Sequence, residues 1–206
     1  MTGITTRAAA LAAWLLLAAA VPPALAQPAP VRLRATIEGV NGDVVTLLTR
    51  EREQVAVRLA PDATVSAMVP AELAAIRPGT FIGTAAVPQP DGTLRAQEVV
   101  LFPEAMRGVG EGHRPWDLTP DSTMTNATVS AADVSGVQGR QLTLTYKGGE
   151  QRLVVPPEAP IVTLEPGDRS LVRTGAHVFL SATPQADGTL LATRMTVGKD
   201  GLIPPM

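Results

Sequence analysis

The chain has no cysteine in 206 residues, so no disulfide can staple it and no thiol can act as nucleophile or metal ligand. Aromatic residues are scarce, at 3%. Single-stranded nucleic acid is held by stacking rings in a basic groove. With few rings and a net charge of −2, nucleic acid drops out of the candidate partners. Histidine occurs only as His113 and His177, and lysine only as Lys147 and Lys199, against 15 arginines. The arginines are scattered along the chain, and their excess reads as genome composition rather than a functional surface. Also missing are a Gly-x-Ser-x-Gly elbow, a phosphate loop, a His-Glu-x-x-His pair and a calcium loop of alternating acids. No two carboxylates stand in a catalytic arrangement, so the chain reads as a non-enzyme, with hydrolysis the least remote chemistry.

Long hydrophobic runs are missing too, except at the start. Arg7 precedes an uncharged run from Ala8 to Val21, followed by Ala24-Leu25-Ala26. That is the pattern of a cleavable signal over residues 1–26, with the mature chain starting at Gln27 and exported to the periplasm. A spanning helix needs about 20 apolar residues, and Pro22-Pro23 cuts this run short. A signal retained as an anchor is the other reading. No later stretch is long enough to span.

The most informative feature is an internal match. Ile37-Glu38-Gly39-Val40-Asn41-Gly42 overlies Val134-Ser135-Gly136-Val137-Gln138-Gly139 at an offset of 97, and Pro88-Gln89-Pro90-Asp91-Gly92-Thr93-Leu94 overlies Pro184-Gln185-Ala186-Asp187-Gly188-Thr189-Leu190 at an offset of 96. A self-similarity of this length signals a tandem duplication. It predicts a first barrel over 31–102, a connecting strap over 103–125, a second barrel over 126–197 and a tail over 198–206.

Each segment reads as short strands between turns. Arg32 to Val40 and Val44 to Thr49 flank the hairpin signal Asn41-Gly42, and Gln54 to Leu59 alternates polar and apolar as a half-buried strand does. Pro70 to Ile76 reads as a short helical turn, and strands at 80–87 and 94–102 follow. The second segment repeats the order, with its helix less marked because of Glu165-Pro166-Gly167-Asp168. The predicted class is therefore all-β with one or two short helices, built as tandem OB-like small β-barrels with aliphatic cores.

The recurring Gly-Val-x-Gly, the Leu-Thr-Leu strand and the closing Asp-Gly-Thr-Leu resemble a bacterial family of small exported OB-like or β-barrel domains of unknown function. Met106 to Asp117 and Ser122 to Thr128 resemble the signature of its two-repeat proteobacterial branch. Some proteins that share this resemblance are called metal ABC transporter permeases, a name that does not suit a chain whose one long apolar run is a signal. The resemblance implies a fold and an exported address, and brings no catalytic residues.

Special chemistry is therefore sought in the strap. Gly108, Gly110 and Gly112 let it turn, and Glu111, His113, Arg114, Trp116 and Asp117 form the candidate partner-binding set. The partner would be an envelope protein or a small ligand. In the rival reading His113 with Met106 and Met124 holds copper(I) as a carrier, or His113 with Trp116 holds a haem edge. No cofactor is expected otherwise. His177 reads as a packing or rim residue. Asp91 and Asp187 read as turn residues, Glu51 and Glu53 as a solvated tip, and the sequon at Asn126 as chance.

Overall fold

A computed structural model describes residues 29–133 and 139–206; the expected signal lies outside them. The described residues form thirteen strands: β1 (Val31–Asn41), β2 (Val44–Thr49), β3 (Gln54–Pro70), β4 (Phe81–Pro88), β5 (Leu94–Ala96), β6 (Val99–Leu101), β7 (Gly112–Pro115), β8 (Thr123–Asp133), β9 (Arg140–Tyr146), β10 (Gly149–Val155), β11 (Ile161–Pro166), β12 (His177–Pro184) and β13 (Leu190–Gly198). Their helical content is short 3-10 turns, including Leu73–Ala75 and Arg169–Leu171. The class is all-β, as the alternating patterns predict. A helix does form in the second segment, where the Asp168 side chain accepts a bond of 2.7 Å from the Ser170 amide and caps the turn.

The pairing closes a five-stranded barrel in the order β1-β2-β3-β13-β12, returning to β1. Antiparallel ladders join all neighbours except β3 and β13, which run parallel. One face of each strand fills the interior: Leu33, Ala35 and Ile37 from β1, Val45 and Leu47 from β2, Val57 and Leu59 from β3, with Val178, Leu180, Met195 and Val197 from β12 and β13. Full burial of each such side chain contributes about 1.5–3 kcal/mol, which an aliphatic core supplies without aromatic rings. A second ring runs β4-β8-β9-β10-β5 and back to β4, with β10 and β5 parallel. Ile82, Leu94, Val129, Leu142, Leu144 and Leu153 fill it.

The ladders correct the expectation of one barrel per segment. The first barrel takes three strands from segment 31–102 and two from segment 126–197, and the second ring makes the reciprocal choice. The links after β3 and β11 carry the chain across. The Gly79 amide donates to the Val129 carbonyl at 2.8 Å, and the Gly175 amide donates to the Ile37 carbonyl at the matching place, also at 2.8 Å. Strand β4 pairs with β8 of the other segment, and β12 pairs with β1.

Three local expectations also shift. The first hairpin loop is Gly42-Asp43, with Asn41 and Val44 paired; Gly42 takes the positive φ of 59° that favours glycine. Strand β3 runs on past Leu59 to Pro70, because residues 60–63 bulge out of the ladder with β13, whose register jumps there. Pro61, with no N–H to give, sits in that bulge. Strand 94–102 is broken at Gln97-Glu98 into β5 and β6. The turns at Asp91 and Asp187 form as expected and alike: each Oδ1 accepts from the amide two residues on at 2.9 Å and from that threonine's hydroxyl at 2.7 Å.

Strand β11 pairs with β3 and β6 and ties the rings into one sheet. Met68, Val100, Val162 and Leu164 form a third apolar cluster there, with Phe102, Met106, Leu202 and Met206 packed on it.

Candidate functional site

The strap is ordered. Glu104–Met106 is a 3-10 turn and 112–115 is β7, the edge strand on β8. Gly108, Gly110 and Gly112 all take positive φ, which lets the chain turn back on itself between Met106 and β7. The alternation of β7 then splits the candidate residues between its two faces. His113 pairs in register with Thr125, and Arg114 with Met124.

On one side His113 Nδ1 is hydrogen-bonded to Thr125 Oγ1 at 2.8 Å, and its ring stacks at 6.3 Å on Tyr146. Desolvation first, and the charge of Arg114 second, hold the His113 imidazolium below its ordinary pKa. Glu111 lies nearby, accepting the Lys147 amide at 2.9 Å. On the other side Arg114 and Met124 face a cleft of about 390 Å³ between the two barrels. Met106 lines it as well; His113 does not. The geometry thus separates His113 from both methionines, and among the described residues no group of three or more histidines and carboxylates is placed to hold a metal.

Trp116 forms part of the cleft wall. The Arg32 guanidinium lies 4.1 Å from its ring centroid and that of Arg114 5.6 Å, while Phe179 of β12 packs at 6.5 Å. Such cation–ring contacts are worth about 0.5–2 kcal/mol each. Asp117 binds Arg34 at 2.7 Å and Arg32 at 3.3 Å. Desolvation opposes its charge, but the bonds and charges of the two arginines outweigh that and hold its carboxyl below the usual range. The arginines that looked scattered along the chain therefore meet here, since Arg32 and Arg34 share one face of β1 and the strap returns across it.

No family model matches the chain, and no curated protein or solved structure matches it significantly. The reading of this site therefore rests on its own geometry.

Opposite Trp116, the wall is built on Gly83 of β4. A Cβ there would stand 2.8 Å from Asn126 Oδ1 and 2.9 Å from the Phe102 ring, so glycine leaves the room that both side chains occupy. Gly83→Ala is expected to lower stability by about 1–3 kcal/mol through overpacking, read as a lower melting temperature; an unchanged value would show that Phe102 moves freely aside. Asn126, only 6% exposed, donates to Val109 O at 3.0 Å. Its Oδ1 and the Trp116 indole nitrogen are buried with no bonding partner among the described residues. Burial also keeps the Asn126 sequon out of reach of a glycan in the folded chain.

Three cleft residues and one buried acid outside the cleft escape the local sequence patterns. Phe179, Arg194 and Met206 reach the cleft through the strand exchange, which no local pattern signals. Glu98 was overlooked as well. It is 0% exposed, sits at the break between β5 and β6, and accepts the Ala85 amide at 3.1 Å through Oε1, while Oε2 has no partner. Desolvation pushes its carboxyl up to about 8, against the smaller opposing effects of the Ala85 bond and of Arg34. A lone acid ahead of Val99-Val100-Leu101 was the available signal. His177 stands at the rim, hydrogen-bonded through Nδ1 to Thr36 Oγ1 at 3.0 Å.

Proposed function

We propose that the protein is an exported, non-enzymatic binding module whose ligand site is the cleft between the barrels. One observation carries this: two separate parts of the strap and two strands of the first barrel, β12 and β13, converge to line a single concave, largely apolar space with Trp116, Met124, Phe179 and Arg114. Its volume of about 390 Å³ falls within the range of roughly 300–1,000 Å³ common for small-molecule sites. Asn126, Ser181 and the arginines offer polar contacts that can fix a ligand's orientation. An envelope protein could use the same wall only through a narrow inserted segment, so a small molecule fits the concavity better.

The copper or haem reading finds less support, since His113 lies against Tyr146 and away from Met106 and Met124. Export rests on Arg7, the apolar run and Ala24-Leu25-Ala26. It predicts Gln27 as the first residue of protein recovered from the periplasm, read by N-terminal sequencing; recovery with Met1 intact would favour the anchor. The matched segments and matched Asp91 and Asp187 turns are what a tandem duplication leaves behind, and we read the two rings as its product.

Ser181 is an exposed residue of β12 on the cleft, so Ser181→Trp should fill the space and leave the barrel intact. Apolar dyes are expected to bind wild type at one site per chain and to lose at least about tenfold in affinity in Ser181→Trp, while both proteins melt alike. Equal dye binding by the two would remove the cleft from consideration.

A further inference from the structure

Charge at the cleft narrows the ligand class. The side chains that line it include two arginines, Arg114 and Arg194, and no carboxylate, while the Met206 main-chain oxygen beside it accepts from Arg34. Arg114 is half-buried, with its Nη1 donating to the Gly110 carbonyl at 2.8 Å. Desolvation, and then the charge of Arg32, pull its pKa below the ordinary arginine value. Its surroundings thus disfavour the cation. The two acids three residues away along the chain are engaged elsewhere, Asp117 by Arg34 and Arg32 and Glu111 by the Lys147 amide. Arg194 makes no side-chain hydrogen bond or ion pair among the described residues. A partly desolvated guanidinium bonded to one neutral carbonyl lacks the anionic partner that such a group favours.

The body of the cleft is apolar. Trp116 and Phe179 supply flat faces, and Met106 and Met124 supply polarisable, adaptable walls. Two polar atoms in those walls, Trp116 Nε1 and Asn126 Oδ1, have no partner among the described residues. An uncharged oil would leave the arginines unmatched. A bare anion would leave the rings and thioethers facing water.

We propose that the cleft takes a small amphiphilic anion, a carboxylate or sulfonate joined to a flat apolar body. The anionic group meets Arg114 and Arg194, and the body lies against Trp116, Phe179 and Met124. This rests on the cleft being the ligand site, as proposed above, and adds the ligand's charge and shape. Guanidinium forks match a carboxylate or sulfonate in two-point geometry, and a flat ring system lies along aromatic and thioether walls at little cost in conformational entropy.

Two dyes that differ only in charge test it. 8-Anilinonaphthalene-1-sulfonate and N-phenyl-1-naphthylamine share one aromatic body, and only the first carries an anion. With the full chain at pH 7 and low salt, the sulfonate is expected to bind one site at least about tenfold more tightly than the neutral dye. That advantage should shrink in 0.5 M salt, where screening shortens the reach of charge, and should largely vanish in Arg114→Gln/Arg194→Gln. Arg194 is exposed, so Arg194→Gln alone gives a smaller loss in the same direction if the double variant does not fold. The neutral dye binding as tightly as the sulfonate, or a sulfonate advantage untouched by both arginine variants, overturns the anionic class while the cleft remains a binding site. Failure of both dyes to bind, or equal binding by Ser181→Trp, overturns the cleft itself along with this assignment.

Discussion

Wild-type stability is expected to fall as pH rises from about 5 to about 8, and Glu98→Gln to remove most of that slope. Glu98 is fully buried with one oxygen unpartnered, and desolvation raises its pKa from 4.5 in the unfolded chain to about 8 in the fold. The folded state therefore holds the proton more tightly than the unfolded state. Below about pH 4.5 both states are protonated, and the contribution of Glu98 is fully present. Between the two values only the unfolded chain releases the proton, so stability drops by on the order of 1 kcal/mol per pH unit. Above about 8 both are ionised and the loss is complete. Glutamine keeps the oxygen that accepts the Ala85 amide and has no proton to lose. Its amide adds donors with no partner, so the variant should be the less stable below pH 5 and the more stable above pH 8. Carboxylates with lowered values, such as Asp91, Asp117 and Asp187, act in the opposite sense at acid pH and are common to both proteins. Denaturant melts at pH 5, 6.5 and 8 decide the matter, and parallel slopes for the two proteins would sink it.

A fragment ending at residue 121, ahead of β8, is expected to have no stable monomeric fold, although it contains every strand a single small barrel would need. In the intact chain β1, β2 and β3 are closed by β12 and β13, and β4 and β5 close on β8 and β10. Cutting the chain leaves open strand edges and half-covered aliphatic faces, and such edges seek other chains. Mixing 29–121 with 122–206 should restore the two rings, and 29–121 alone should dimerise or aggregate with rising concentration. Sedimentation and circular dichroism would read both. A monomeric 29–121 with a cooperative melt would mean that a segment can close on its own strands, and that the exchange is a preference of the connections only.

The strands themselves could be read with fair success from alternation, because Leu33, Ala35 and Ile37, or Leu142 and Leu144, point inward at a spacing of two whatever lies beside them. Turns could be read for an equally local reason, the Asp-Gly-Thr signature that recurs at 91–93 and 187–189. Partners could not. Alternation fixes which face of β4 is buried and is silent about whether its edge meets β1 or β8, and two segments with like edges make the choices locally alike. The strap was found because it matches neither segment. Its division into a His113 side and an Arg114 side follows from strand alternation that its glycines concealed. The arginines were misjudged for the same reason the barrels were: Arg32 and Arg34 reach Trp116 and Asp117 only because β1 lies beside β12 and the strap folds back over it.

The exchange of strands also sets an order in time. The second ring is complete once residues 81–155 are available, whereas the first needs 31–69 together with 177–198. During synthesis, the first three of the described strands emerge earliest and close last, with more than a hundred residues between β3 and its parallel partner β13. Pairings so distant along the chain form slowly. The earliest part of the molecule is thus the longest exposed, and its open edges are where a folding helper would act.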